Sequence, residues 1–370
     1  MSARKKVAIV FGTRPEAIKM APVVKAVEAS GRLQPIRIAT AQHRGLLDQV
    51  LEYFGIKPDH DLNLMQANQD LFHVTAACLN GMKGVLQETR PDVVLVQGDT
   101  TTTLAAAMAA FYLKIPVGHV EAGLRTYDKY SPFPEEMNRK MTGAIADFHF
   151  APTEQSVDNL RREAIPDEKI HLTGNTAIDA LLWASRRAVP LPALRTLYEG
   201  RRLILMTAHR RENFGTPLQN IFRAVREFAA RNSDCHVIYP VHPNPNVKGP
   251  AEEALGGLDN VSLVPPVGYS ELVYLMTECT LVLTDSGGLQ EEAPTLGKPV
   301  LVLRETTERP EAVAAGCARL VGHDTAAILG SLDELLKPGS ATYTRMARAR
   351  NPFGDGTAAR QIAALLEEHL

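Results

Sequence analysis

Leu281–Val302, LVLTDSGGLQEEAPTLGKPVLV, is the stretch whose reading decides the fold. Leu281–Thr284 is an apolar run of strand length, and Asp285-Ser286-Gly287-Gly288 follows it. A helix-length segment then runs to Gly297, where a C-cap is expected, and Pro299 opens another buried strand. Glycines after a strand let the backbone approach a ligand closely and aim free N–H groups at it. A helix starting there adds unpaired amides and the positive end of its dipole, a seat for phosphate. Glu292 lies one turn into that helix from Gly288, on the same face, within reach of a ribose hydroxyl pair. An ordinary strand–turn–helix connection with a glycine pair for packing is the competing reading. Asp285, Ser286 and Glu292 at these spacings favour a nucleoside diphosphate.

Outward from that stretch the same alternation recurs. Leu203–Thr207 reads as a strand leading into Ala208-His209-Arg210-Arg211-Glu212-Asn213-Phe214-Gly215, followed by a helix over 217–231. His236–Val241 and Val261–Val264 are further strands, and a helix is predicted over 270–278. In the first half, Val7–Phe11 is a buried-strand pattern, then Gly12-Thr13-Arg14, then Pro15 at the favoured first position of a helix. That helix places Ala17, Met20, Val23, Val24 and Val27 at helical spacing, with a break or kink at Pro22. Val93–Gln97 runs into Gly98-Asp99, and Val117–Val120 into Glu121. Strand and helix alternate without hairpin signals, so the fold class is α/β: two Rossmann-like, doubly wound parallel-sheet domains facing across a cleft. The boundaries read as 1–188 and 189–355, with the Pro-flanked Val189–Gly200 as linker. The tail 356–370 carries an amphipathic helix expected to pack back on the first domain.

At 370 residues, 45% apolar and 22% charged, the chain has material for two sizeable cores. A net charge of −2 leaves no basic excess for nucleic acid as the main partner. The apolar run Val7–Phe11 is too short for a signal peptide, and Leu104–Leu113 is half a membrane span, so a cytoplasmic protein with no membrane contact is expected. Cys78, Cys235, Cys279 and Cys317 are scattered and read as buried small hydrophobes. GxxxxGK, GxGxxG and HExxH are absent. Asp59-His60-Asp61 matches a bare DxD, more readily a loop or cap than a metal site. His236 and His242 would share a face if their strand continued, but no third metal ligand accompanies them.

In parallel sheets, ligands bind beyond the carboxyl ends of the strands. The first domain offers Arg14, Lys19, Asp99 and Glu121 there, with Glu135 in the first turn of a helix opened by Pro134. Arg14 and Lys19 lie at a helix N-terminus, where the dipole disfavours cations, so a polyanionic ligand competes with a solvated charged turn. The second domain offers His209-Arg210-Arg211, Ser286-Gly287-Gly288, Glu292 and Arg309. One set suits a nucleoside diphosphate. The other brings carboxylates of the kind that acid–base chemistry at a sugar carbon needs. Spacing alone reaches a two-domain sugar-nucleotide enzyme.

FGTRPEAIKMAP, TAQHR, VQGDTTTT, HVEAGLRT, PFPEEMNR, TAHRRENFG, YPVHPNPNV, LTDSGGLQEEAPTLGKPVLVLRETTERPEA and NPFGDG closely resemble the non-hydrolysing UDP-N-acetylglucosamine 2-epimerases, in the family's order from Phe11 to Gly356. The resemblance implies a glycosyltransferase-B-type fold, a homodimer, and interconversion of UDP-N-acetylglucosamine with UDP-N-acetylmannosamine. It implies elimination of UDP to 2-acetamidoglucal and re-addition, a route that requires neither NAD nor a metal cofactor. Asp99, Glu121 and Glu135 match the family's catalytic carboxylates and His209 its histidine beside the diphosphate. By the same resemblance, Arg14, Ser286, Gly287, Gly288 and Arg309 steady the diphosphate, and Glu292 holds the ribose. The segment around Val267 and Leu272 meets the uracil. Asp99 and Glu135 are expected to be the acid/base pair, with Glu121 positioning the sugar. Gln42, His43, Glu136, Arg210 and His242 resemble a second, activating UDP-N-acetylglucosamine site, although the loop Gln66–Gln69 lacks the arginine expected there. A hydrolysing epimerase, a retaining glycosyltransferase and a non-catalytic sugar-nucleotide sensor are the alternatives.

Overall fold

The computed structural model describes residues 3–41, 44–64 and 69–370, so Gln42, His43 and positions 66–68 of the Gln66–Gln69 loop lie outside the described residues. The chain divides into two compact units, Met1–Ala180 with Phe353–Leu370, and Leu181–Pro352. The first unit holds the strands β1 (Lys5–Phe11), β2 (Leu33–Ala39), β3 (His60–Asp61), β4 (Val93–Gln97), β5 (Val117–Val120), β6 (Phe148–Ala151) and β7 (Ile170–Leu172). They form one parallel sheet in the order β3-β2-β1-β4-β5-β6-β7. The second unit holds β8 (Arg202–Thr207), β9 (Cys235–Pro240), β10 (Val261–Val264), β11 (Leu281–Thr284), β12 (Val300–Val302) and β13 (Ala318–Leu320). Their order is β10-β9-β8-β11-β12-β13, again parallel. Both units are doubly wound, and each order reverses once, between β1 and β4 and between β8 and β11. These are the two parallel-sheet α/β units of a glycosyltransferase-B-type chain.

The cores follow from the apolar runs. Val93–Gln97 is buried at every position, as a central parallel strand covered on both faces must be. The Ala-rich helix Thr101–Tyr112 buries Ala105, Ala106, Ala107, Ala109 and Ala110 and packs between the helices Leu71–Thr89 and Glu135–Ile145. Small side chains all round let it approach both neighbours and the sheet, where a wider amphipathic helix would leave its outer face wet. Pro22 lies inside the helix Arg14–Ala29, which continues through it. In the second unit the core joins Ile204, Met206, Phe222, Phe228, Tyr239, Leu283 and Leu301. All four cysteines are free and buried.

Several elements depart from the sequence reading. Pro245–Leu255 is a helix that its own Gly249 and Pro250 disguise, and β13 is three residues with a charged middle. The predicted linker contains a helical turn, Pro192–Arg195, and buries Tyr198, while the division between units falls earlier, after Ala180. Asp59 is bound bidentately by Arg37 at 2.9 and 2.9 Å, and His60–Asp61 is an edge strand, which accounts for the DxD as structure. β9 ends at Pro240, so His236 and His242 do not share a strand face; His236 instead faces Ser262 at 2.8 Å. Among the described residues, no helix is long and apolar enough to cross a membrane.

The helix Ala358–His369 packs on Arg14–Ala29 in unit 1, and Asp179 caps it from outside by accepting the Ala359 N–H at 3.0 Å. Burial pushes the Asp179 carboxyl up to about 6, from an ordinary 3.8. A raised folded-state value means the fold binds this proton more tightly than the unfolded chain does. Its contribution is therefore present in full below pH ~4 and is lost as pH rises through ~6. Asp179→Asn keeps an acceptor for Ala359 and has nothing to titrate. Between pH 4 and 7 the wild type is expected to lose on the order of 2–3 kcal/mol relative to Asp179→Asn. Urea unfolding of both proteins at the two pH values checks this, and parallel pH dependences would refute it.

Candidate active site

Unit 1 collects its candidate groups where β1 and β4 diverge, the switch point at which open α/β sheets bind ligands. The β1 loop is organised by Glu16, a residue the sequence candidates omit. Its carboxylate, 2% exposed, accepts from Gly12 N at 3.0 Å, Thr13 N at 2.7 Å and Thr13 Oγ1 at 2.8 Å. Its other oxygen accepts from Thr100 Oγ1 at 2.7 Å and Thr103 Oγ1 at 3.3 Å, so one side chain ties the β1 loop to the β4 loop. Burial raises the Glu16 carboxyl above its usual range, against the lowering effect of these donors. Thr13 and Glu16 stand three apart, a capping-box spacing that was there to be read. Arg14, beside them, is exposed, and among the described residues its guanidinium has no partner.

Asp99 follows Gly98, whose φ of 72° is a left-handed turn that glycine adopts at little cost. The helix Glu135–Ile145 then holds Asp99 twice: Asn138 Nδ2 donates to its backbone carbonyl at 2.9 Å, and Arg139 Nη2 reaches its carboxylate at 2.7 Å. Arg139 Nε adds a second bond at 3.0 Å to the same oxygen. Glu135 begins that helix, half-buried, and among the described residues its carboxylate makes no hydrogen bond or ion pair. Glu136 behaves oppositely. It is fully buried, accepts from Thr126 N at 3.0 Å and Tyr127 N at 3.0 Å, and pairs with Arg139 at 3.2 Å. Its carboxylate thus fixes the turn at Thr126 and Tyr127 and holds Arg139 from the side opposite Asp99.

Glu121 sits at φ 65°, a left-handed conformation unusual for a residue with a side chain, and is 6% exposed. Lys19 Nζ lies 2.6 and 2.7 Å from its two carboxylate oxygens, Gln97 Nε2 contacts one of them, and Asn175 Nδ2 donates to Oε1 at 3.2 Å. Lys19 therefore balances a carboxylate within unit 1. The buried pair relieves the charge that helix placement alone left unexplained. Below it, His119 Nε2 donates to the Gly98 carbonyl at 2.7 Å, and burial brings the imidazole down to about 4, so it is neutral at pH 7.

Unit 2 builds its candidate site where β8 and β11 diverge. Asp285, 0% exposed, is the organiser: Oδ2 accepts from His209 N at 2.8 Å, Arg210 N at 2.8 Å and Asn213 Nδ2 at 3.1 Å. Thus the β8 loop is shaped by a carboxylate delivered from β11. His209 Nδ1 lies 3.5 Å from Asp285 Oδ1, and the ring stacks on His242 at 5.6 Å between centroids. Burial lowers the His209 imidazole below its ordinary value despite that carboxylate.

The turn Ser286-Gly287-Gly288 opens a helix shorter than predicted, Gly287–Glu292, continued by a single tighter turn, Ala293–Leu296. Pro294 has no N–H to give to the Gln290 carbonyl, so the α ladder stops there. Gly297 ends it at φ 68°, as the spacing predicts. A six-residue helix has little dipole to offer. The guanidiniums do more: a Cβ on Gly287 would stand 3.7 Å from Arg210 Nη2 and 3.9 Å from Arg309 Cζ. Arg210, expected at a second site, thus stands beside Arg309 at the glycine turn. Arg309 is itself oriented by the buried carboxylate of Glu291. Glu292 closes the helix half-buried, and Val267 and Leu272 flank Gly268 at the start of the helix Tyr269–Glu278. Among the described residues, no cluster of three or more His, Cys, Asp or Glu side chains could hold a metal ion.

These loops carry the long motifs quoted above, and known proteins share them across the chain. The family description "UDP-N-acetylglucosamine 2-epimerase" matches residues 25–367. The UDP-N-acetylglucosamine 2-epimerase of Salmonella typhimurium is 52% identical over 372 residues, covering 98% of this chain and 99% of its own. The UDP-GlcNAc 2-epimerase from Neisseria meningitidis, solved bound to UDP-GlcNAc, superposes with a TM-score of 0.89 at 48% identity, covering 98% and 100%. That of Methanocaldococcus jannaschii, solved with UDP-GlcNAc and UDP, does so at 0.80 and 35%, covering 98% and 99%. Acidic and cationic strand-end loops on two doubly wound sheets, and agreement along nearly the whole length, lead to one conclusion: the chain belongs to the UDP-N-acetylglucosamine 2-epimerase family.

Proposed function

We propose that the chain interconverts UDP-N-acetylglucosamine and UDP-N-acetylmannosamine by eliminating UDP across C1–C2 and adding it back. C2 of the sugar has no adjacent carbonyl, so removing its proton without help is very unfavourable. Coupling that loss to departure of UDP from C1 forms a C1=C2 double bond, the 2-acetamidoglucal, with no net oxidation. Protonation of C2 on the opposite face, with return of the UDP oxygen to C1, completes the inversion. The route needs a base, an acid and a site that keeps the expelled diphosphate.

The observation that carries this reading is the grip of one helix on both acidic groups: Glu135 begins it, and its Asn138 and Arg139 hold Asp99. Two carboxylates fixed on a shared rigid element can address opposite faces of one carbon, which two independent loops could not do reproducibly. Asp99 and Glu135 are the acid/base pair in this proposal, and Glu121 positions the sugar. The domain read as 1–188 supplies them, and the domain read as 189–355 supplies the UDP groups. Arg14, Arg210, Arg309 and the Ser286–Gly288 amides balance the diphosphate, His209 stands beside it, and Glu292 holds the ribose. Uracil meets the Val267–Leu272 segment. The reading extends to a cytoplasmic homodimer and to UDP-N-acetylglucosamine as an activator at a second site contacting His242.

Turnover of UDP-N-acetylglucosamine in deuterated water tests the chemistry. Reversible epimerisation with deuterium at C2 of both sugars is expected. Stoichiometric free UDP with free N-acetylmannosamine would replace this reading with hydrolysis, and unchanged substrate would leave only a sensor.

A further inference from the structure

We infer that Asn175 is a positioning residue for Glu121, itself held by the segment on which the chain returns to unit 1. The inference rests on the proposed role of Glu121 at the sugar. Asn175 is 2% exposed, and its backbone and side chain are engaged together, the carbonyl accepting from Ile178 N at 3.0 Å. Its backbone N–H donates to the Phe353 carbonyl at 2.7 Å. Its Oδ1 accepts from Ala177 N at 3.0 Å, at the start of the helix Thr176–Ser185. With the oxygen so occupied, the amide cannot flip, and Nδ2 is aimed at Glu121 Oε1, 3.2 Å away.

The support behind Asn175 is equally tight. Gly174 at φ 86° and Gly354 at φ 122° cross so closely that a Cβ on Gly174 would stand 3.2 Å from Gly354 Cα and 3.2 Å from the Phe353 carbonyl oxygen. Phe353 is 1% exposed, so the returning segment is anchored by its own side chain. The Glu121 carboxylate needs such a buttress. Its left-handed backbone is a state that persists only when neighbours over-determine it. Lys19 grips both of its oxygens from the helix Arg14–Ala29, and Gln97 contacts one from β4. Lys19 is the facing cation, and His119, on β5, is an imidazole within reach of the Glu121 charge; Asn175 is a neutral donor from a third direction.

Capping alone and positioning make different predictions, because Ser and Asp are both good cap acceptors but neither donates as Asn175 does. Epimerisation of UDP-N-acetylglucosamine by the full chain is measured for Asn175→Ser, Asn175→Asp and Glu121→Gln. Asn175→Ser is expected to lower kcat roughly tenfold with KM within about twofold. Asn175→Asp, nearly isosteric, is expected to lower kcat at pH 7 about a hundredfold and to move the acid limb of kcat/KM to higher pH, because two facing carboxylates must share a proton. Thermal unfolding reports folding separately, and if Asn175→Ser fails to fold the Asp variant decides. Wild-type kcat and pH profile in both Asn175 variants, with Glu121→Gln inactive, would reduce Asn175 to a helix cap and overturn the inference. A fully active Glu121→Gln would instead overturn the role given to Glu121 itself.

Discussion

Asp285→Ala is expected to destabilise unit 2 by about 3 kcal/mol and to weaken UDP binding at least ~30-fold. The carboxylate is buried at 0% exposure and receives two backbone N–H groups and one side-chain amide from the β8 loop. Each buried donor left without a partner costs about 1–3 kcal/mol, and water entering the space recovers part of the sum. The loop cannot keep its shape without this anchor. His209 and Arg210 are the two residues whose amides it holds, and Arg210 Nη2 is one of the groups at Gly287. Asp285→Asn should fall between, since the amide offers one acceptor and turns two N–H groups toward donors. Urea unfolding and calorimetric titration with UDP read the two effects. A wild-type midpoint together with UDP affinity within about twofold would show that the loop does not depend on Asp285.

Asp99→Asn and Glu135→Gln are each expected to lower kcat by ~10²–10⁴-fold, the range in which a positioned proton-transfer group contributes. UDP affinity should stay within about tenfold, roughly 1.4 kcal/mol, because neither side chain is among the groups proposed to hold the nucleotide. The two variants differ in their structural risk. Glu135 has no partner among the described residues, so its replacement should leave unfolding unchanged. Asp99 accepts from Arg139 at 2.7 Å, and the amide weakens that pair, while Glu136 still holds the guanidinium at 3.2 Å. A modest loss of stability with an intact fold is the expected outcome for Asp99→Asn. Turnover near the wild-type rate in either variant, or loss of UDP binding in both, would remove that residue from the proposed acid/base pair.

The sequence reading located most of the strands and the glycine turn because parallel-sheet strands are continuous apolar runs and their C-terminal loops carry the chemistry. It missed the helix Pro245–Leu255, where proline and glycine are local breakers that tertiary packing of Val247, Ala251 and Leu255 overrides. It could not place the protein partner of Lys19, because a dipole argument sees one helix at a time. Its partner, Glu121, lies 102 positions away and comes close only when β1 and β5 enter one sheet.

What the sequence by itself determined is the alternation of strands and helices, the doubly wound class, the family, and the set of polar residues at strand ends. Those are local patterns or long motifs, legible residue by residue. Which of those polar residues stay available was decided only in three dimensions. Glu16, Glu136 and Asp285 look no different in sequence from Glu135, yet each is buried under donors, from loops distant in sequence for Glu16 and Asp285 and from the preceding loop for Glu136, whereas Glu135 keeps its carboxylate unpartnered among the described residues. A carboxylate's role is set by the donors that surround it. For Glu16 and Asp285 those donors follow strands whose neighbours are fixed by sheet order and not by position along the chain.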